Sequence, residues 1–241
     1  MNPFEESKIP RLDQLSYSNI QTATLAMGCF WSPEAFFGAI KGVIRNRVGF
    51  AGGTTPAPTY RNLADHIETV QVEFDPEQVT YAQLLEKFFA KHTPTQEPRK
   101  RQYTSAIFYH SPEQQQAAQD AIKAAEERFK AKVLTQLIPY ETFHLAEERH
   151  QKWKLRRHTE VLRELQKIYP GFEAFNNSTA VARVNGYVGG YGEQDIFMEE
   201  ISSLGLSAPV QNIMLALFMA QGTLGFPFSH GLSPSKGTNA L

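Results

Sequence analysis

Leu25-Ala26-Met27-Gly28-Cys29-Phe30-Trp31-Ser32-Pro33-Glu34 reads as a strand that turns directly into a helix. The apolar run Ala23 to Met27 leads in, as part of a buried strand expected over 21–27. Ser32 can cap a helix and Pro33 suits a first helical position. The helix is therefore expected to pass through Ala35, Phe36, Phe37 and Ile40 and to stop near Lys41-Gly42. Gly28 permits a sharp turn between the two elements. The only cysteine, Cys29, stands in that turn. Free N–H groups and the positive end of the helix dipole favour a thiolate there. The plain alternative is a buried structural cysteine, because free cysteines are mostly small core hydrophobes. The local residues leave both readings open.

Outward from this turn, Val43 to Phe50 reads as a strand, and residues 67–74 alternate. Ile67, Thr69, Gln71 and Glu73 share one face; Glu68, Val70, Val72 and Phe74 share the other, mostly apolar one. A carboxylate on an inward face has a raised pKa unless it is well hydrogen-bonded. The alternative is a strand-end glutamate that reaches solvent. Thr80 and Gln83 form a capping box for a helix from Tyr81 to about Lys91, with Tyr81, Leu84, Leu85, Phe88 and Phe89 on its buried face. A strand from Tyr103 to Tyr109, a helix from Ser111-Pro112 to about Lys130 and a strand from Val133 to Ile138 follow, the last broken by Pro139. A loop to Trp153 then leads into a long helix ending near Tyr169. Helices follow only some strands. That order predicts an α+β fold, a two-layer α/β sandwich with a mixed or antiparallel sheet, rather than a doubly wound parallel one.

Three segments are expected: an arm over 1–20, a main domain over 21–170, and an extension over 171–241 that packs on the domain or on a partner and ends loosely. The extension shows few clear helices or strands. Its run Asn185 to Gly192 reads as a glycine–aromatic turn or lid, and beyond Leu204 its only formal charge is Lys236.

Charge and cysteine usage exclude several classes. With 24 basic and 25 acidic residues, net −1, the chain offers no electrostatic case for nucleic acid. Arg99-Lys100-Arg101 reads as a solvated loop. One cysteine excludes an intrachain disulfide, a cysteine-rich zinc site and a Cys-x-x-Cys pair, and suits a reducing, cytoplasmic compartment. No apolar signal segment opens the sequence, and the run Ile213 to Ala220 is too short to span a bilayer. The glycine-rich loop 49–60 lacks the lysine and spacing of a phosphate-binding loop.

The polar groups left for chemistry are Cys29 as nucleophile, Glu68 as acid, the phenols Tyr60 and Tyr103, and His66, His92, His144 and His150. A cysteine hydrolase using His66, His144 or His150 as base is physically possible. Phe30 and Trp31 point elsewhere: two aromatics beside a thiol make an apolar, polarizable cup that suits a methyl or thioether group.

Gly28-Cys29-Phe30-Trp31 resembles the active-site motif of the A-type peptide methionine sulfoxide reductases. The resemblance continues, in order, through Gly49 to Gly53, Pro58-Thr59-Tyr60, His66-Ile67-Glu68, Val72 to Pro76, Leu84-Leu85, His92 to Gln96, Gln102 to Ile107 and Phe143 to Gln151. It implies a ferredoxin-like core and reduction of methionine S-sulfoxide, free or within oxidised proteins. It implies Cys29 as nucleophile, Glu68 as the acid that protonates the sulfoxide oxygen, Tyr60 and Tyr103 as hydrogen-bond partners of that oxygen, and Phe30 and Trp31 as the methyl pocket. No bound cofactor is implied. The reductant is an external thiol: thioredoxin, glutaredoxin with glutathione, or a small thiol. A non-catalytic module that binds oxidised methionine or another thioether in the aromatic pocket is the alternative.

Three departures stand out. The second and third cysteines of common members are missing, so a Cys29 sulfenic acid has no internal thiol to resolve it. Glu97 to Arg101 replaces a loop that usually carries an aspartate, and Asp65 stands where glycine is usual. His144 stands where the family often has tyrosine.

Overall fold

β1 (Gln21–Met27) is buried over its central residues because both of its faces are covered, Ala23 and Leu25 by one apolar cluster and Ala26 by another. It pairs antiparallel with β3 (Ile67–Phe74) on one side and with β4 (Ser105–Tyr109) on the other. β2 (Val43–Ala51) lies beyond β3, and β6 (Phe143–Leu145) forms the edge beside it. β5 (Gln136–Pro139) runs parallel to β4 at the other edge. The sheet order is β5-β4-β1-β3-β2-β6. The computed structural model that shows this describes residues 9–223.

Helices α1 (Trp31–Gly38) and α2 (Tyr81–Ala90) connect β1 to β2 and β3 to β4. The four inner strands and these two helices form the βαββαβ ferredoxin-like core, so the expected α+β sandwich with a mixed sheet is borne out. Glu68, Val70, Val72 and Phe74 share a face, as their alternation requires, and all four are buried. Val70, Val72 and Phe74 meet Leu84, Leu85 and Phe88 of α2 in the main apolar cluster. Ala26, Ala51, Ile67, Ala106 and Phe108 form a smaller cluster. The Thr80–Gln83 capping box is present, and α3 (Pro112–Phe129) starts at its Ser111 cap.

Several local expectations need correction. α1 begins at Trp31, so Ser32 and Pro33 sit inside its first turn and Phe30 is the N-cap residue. No side chain of α1 caps it; instead the Phe30 N–H donates to Glu68 Oε2 at 3.1 Å, an acceptor brought by β3. β4 starts at Ser105, and Tyr103 belongs to the 3-10 turn Arg101–Tyr103. Pro139 ends β5 as its last residue, a position an edge strand tolerates. β6 was not foreseen, since three residues carry no readable period. The long helix expected after Trp153 is broken into the 3-10 turn Leu155–Arg157 and α4 (Thr159–Ile168).

The C-terminal segment is more helical than its composition indicated. It forms α5 (Phe172–Asn177), α6 (Thr179–Val188), α7 (Gln194–Glu200) and α8 (Ala208–Thr223). Leu165, Val181, Val184, Tyr187, Phe197 and Met214 build a separate apolar cluster there. Asn185 to Val188 is therefore helix, not a lid loop. Its glycine serves close packing: a Cβ on Gly186 would stand 2.6 Å from Ala39 Cβ and 2.7 Å from the Ala35 carbonyl oxygen. Arg183 reaches across the same seam to the carbonyls of Gly38 (2.7 Å), Ile40 and Val43 (3.3 Å). Asp13, in the N-terminal segment, accepts from Tyr169 Oη (2.6 Å), Ser178 Oγ (2.9 Å), Thr179 N (2.5 Å) and Ala180 N (3.2 Å), and so caps α6. The expected loose end of the extension lies outside the described residues.

Candidate active site

Cys29 sits between β1 and α1, after Gly28 at φ +94°. A Cβ on Gly28 would meet nothing within 4 Å, so glycine is needed there for its backbone angle and not for space. Cys29 is exposed as a residue, yet partial loss of water around the thiol raises its pKa. The Trp31 backbone N–H pulls the value down, and Glu68 pushes it up again. This reverses the expected thiolate. The Phe30 N–H at the helix start is taken by Glu68, and that carboxyl group lies beside the sulfur. At rest Cys29 is a thiol.

Glu68 is fully buried and does not reach solvent as a strand-end residue would. Burial raises its pKa; hydrogen bonds from the Phe30 N–H, from Gln102 and from the Cys29 thiol oppose that rise. Gln102 Nε2 donates to Glu68 Oε1 at 2.9 Å. The Cys29 thiol therefore meets a carboxyl group whose two oxygens are each held by a protein donor.

The aromatic residues form one continuous wall. Tyr60 stacks on His150 (ring centroids 4.2 Å apart), Trp31 (6.3 Å) and Phe30 (6.2 Å). Trp31 stacks on Trp153 at 4.5 Å and 7°. The Tyr60 N–H is shared between both oxygens of Glu147, each at 3.3 Å. Partial burial raises both phenol pKa values, with added contributions from Glu68 and Cys29, so Tyr60 and Tyr103 stay protonated donors. Cys29, Phe30, Trp31, Tyr60, Glu68 and Tyr103 thus come together, although they arise from four separate parts of the chain.

Three neighbours were given no role from the sequence, Gln102, Glu147 and Trp153, and His150 was weighed only as the base of a cysteine hydrolase. Their only sequence signal was position within or next to the resembling blocks. His150 is buried, and its Nδ1 accepts from Trp31 Nε1 at 3.3 Å. The other candidate histidines, His66, His92 and His144, are engaged elsewhere. His66 Nε2 meets the Thr55 carbonyl at 2.8 Å, and its ring packs edge-on against His144. His92 bonds Phe88 O and Ser105 Oγ, with burial pushing its pKa down to about 4. Glu97 is exposed and makes no hydrogen bond to the cluster. Asp65 instead fastens the loop, accepting from the Thr54 N–H and hydroxyl at 2.9 Å while its carbonyl accepts from Arg101 Nε at 2.9 Å.

This geometry can be set beside known proteins. A family described as peptide methionine sulfoxide reductase matches residues 21–184. The chain belongs to that family. A second match, to the helical domain of selenoprotein methionine sulfoxide reductase A, covers residues 172–215, the segment of α5 to α8. A peptide methionine sulfoxide reductase of Drosophila melanogaster is 37% identical over 188 residues, 77% of this chain and 75% of that protein. One from Sulfolobus acidocaldarius is 44% identical over 140 residues, 54% of this chain and 80% of that protein. The structure of methionine sulfoxide reductase A of Corynebacterium diphtheriae superposes with a TM-score of 0.57 at 30% identity, covering 63% of this chain and 82% of that one. Like that family, the chain is an oxidoreductase that reduces methionine sulfoxide with external thiols through an active-site cysteine. With one cysteine it is a monothiol member. Among the described residues, no helix is long and apolar enough to cross a membrane.

Proposed function

We propose that Cys29 attacks the sulfur of methionine S-sulfoxide, free or within oxidised proteins, while Glu68 delivers the proton to the oxygen. The observation that carries this reading is a fully buried Glu68, held by the Phe30 N–H and by Gln102, whose carboxyl group lies close enough to Cys29 to act on its thiol. The pair holds one proton for one reaction. As the thiol yields its proton to Glu68, the sulfur becomes the nucleophile and the carboxylic acid protonates the sulfoxide oxygen. A bond forms between Cys29 Sγ and the sulfoxide sulfur as the S–O bond of the protonated sulfoxide breaks. The released water then adds to Sγ, the sulfur–sulfur bond breaks with its electron pair leaving on methionine, and Cys29 remains as a sulfenic acid.

The phenols of Tyr60 and Tyr103 donate to the oxygen as its charge grows. Phe30 and Trp31 receive the S-methyl group. Because the chain carries no second cysteine, the reductant must reach residue 29 itself, whether thioredoxin, glutaredoxin with glutathione, or a small thiol. The lone cysteine and the need for reducing thiols favour the cytoplasm as the site of action.

The test is a single turnover without reductant. Added methionine S-sulfoxide should release one methionine per enzyme and leave Cys29 heavier by one oxygen in the mass spectrum. Binding with no adduct and no methionine would leave only a recognition module. Glu68→Gln should slow the burst by roughly 10²- to 10⁴-fold. An unchanged burst would remove Glu68 from the chemistry.

A further inference from the structure

Trp153 carries the aromatic wall past the proposed methyl pocket by stacking on Trp31, two residues after Cys29. Two cations lie over its ring: Lys154 Nζ is 5.5 Å and Arg157 Cζ 5.2 Å from the centroid. The other cations of this segment are taken. Arg149 meets Glu147 at 3.6 Å, Arg156 meets Glu148 at 3.4 Å, and Lys152 is buried with Glu34 at 2.8 Å. Among the described residues, Lys154 and Arg157 pair with no carboxylate. The nearby acids do not cancel them: Glu68 is buried under the thiol, and Glu147 is held by the Tyr60 N–H. Lys154 is near enough for its charge to bear on the Cys29 sulfur.

A cationic rim beside a redox-active sulfur selects by charge among the molecules that must approach it. Methionine sulfoxide is neutral at its reacting group, and the aromatic wall accounts for its methyl. The rim therefore fits the second reactant. We propose that Lys154 and Arg157 form a docking subsite for a carboxylate-bearing thiol, which restores Cys29 after each turnover. This rests on the reading of Cys29 as the residue that becomes a sulfenic acid. The first thiol attacks that sulfur, forms a mixed disulfide and releases water. A second thiol attacks the mixed disulfide, frees the Cys29 thiol and leaves as the oxidised disulfide. Two thiols are oxidised for each sulfenic acid reduced, and no further reactant is needed.

The experiment loads the full chain with one equivalent of methionine S-sulfoxide and follows regeneration by 3-mercaptopropionate, an anion, and by 2-mercaptoethanol, which is neutral. The ratio of the two second-order rates in Lys154→Glu/Arg157→Glu is divided by the same ratio in the wild type, which cancels intrinsic thiol reactivity. The relative preference for the anion should fall roughly two- to thirtyfold, the scale of two exposed ion pairs. Lys154→Arg/Arg157→Lys should keep it, and added salt should weaken it in the wild type. A ratio indifferent to both charge reversal and salt would overturn the inference while a normal methionine burst left the reading of Cys29 standing. A missing burst would overturn both.

Discussion

His150 is a buried ring that meets two residues of the candidate site, Trp31 and Tyr60. Its Nδ1 accepts from Trp31 Nε1–H, so the ring proton belongs on Nε2, while the ring face supports Tyr60. Burial pushes the His150 pKa below the usual 6.5; Glu147 raises it and Arg149 lowers it. The ring is neutral near pH 7. Protonation on the acid side of that depressed value places a proton on Nδ1 and breaks the bond to Trp31. KM for the sulfoxide is expected to rise as pH falls through that region. His150→Phe keeps a stacking ring but removes the acceptor. It should raise KM by roughly two- to tenfold, the worth of one hydrogen bond, and abolish the acid inflection. Steady-state kinetics across pH check both outcomes. The Cys29–Glu68 pair has its own profile. Its reactive form holds one proton, and both groups are shifted upward. The single-turnover rate should therefore rise with pH through an apparent value above 4.5 and fall through one above 9. Glu68→Gln should remove the lower limb. None of this was legible at residue 29 alone. A helix start predicted a thiolate; loss of water around the thiol, and after it a carboxyl group from β3, remote in sequence, reversed the sign.

At the scale of elements, α1 is fixed along its whole length by groups outside it. Glu68 accepts the N–H of its N-cap, and Arg183 covers carbonyls at its C-terminal end. Between them Glu34 is fully buried; it accepts from Lys152 Nζ at 2.8 Å and from the Lys152 N–H at 2.7 Å. Lys152 Nζ also donates to the Asn46 carbonyl at 2.6 Å and to Asn176 Oδ1 at 3.0 Å. This pair ties α1 to β2, α5 and the segment that carries His150 and Trp153. Lys152→Met leaves a buried carboxylate without its cation, and urea unfolding should show a loss of about 3–5 kcal/mol. Glu34→Gln together with Lys152→Met should recover much of that loss, since neither charge is then stranded. A single variant as stable as the wild type would remove the pair from the set of structural supports. β3 and α2 were legible because burial of one face leaves a repeat of two or of 3.6 residues, β1 because a strand buried on both faces leaves an apolar run, and α3 because Ser111-Pro112 marks its start. β6 and the broken helix after Trp153 were not, because their backbone geometry is set by pairing with Val48 and Gly49 and by the buried Lys152.

For the whole molecule, the seam between α1 and α6 joins the ferredoxin-like core to the C-terminal helices. Gly186 lies against Ala35 and Ala39 with no room for a Cβ. Gly186→Val must force the helices apart and should cost roughly 1–3 kcal/mol, read as a fall in Tm. Because α1 begins beside Cys29, the same variant should slow the methionine burst. A burst at the wild-type rate would show that the helical segment does not position the site. The sequence by itself determined the order of the core elements from β1 to β5, the turn that presents Cys29, and the inward face that carries Glu68. Those follow from local periodicity and backbone preference, which act over a few residues. Only the tertiary structure decided that Gln102 holds Glu68, that His150 among several histidines meets Trp31, and that a glycine–aromatic run packs as helix. Trp31 and His150 are 119 residues apart, and Glu68 and Gln102 are 34 apart. A hydrophobic period states which face turns inward; it does not state which distant side chain will meet that face.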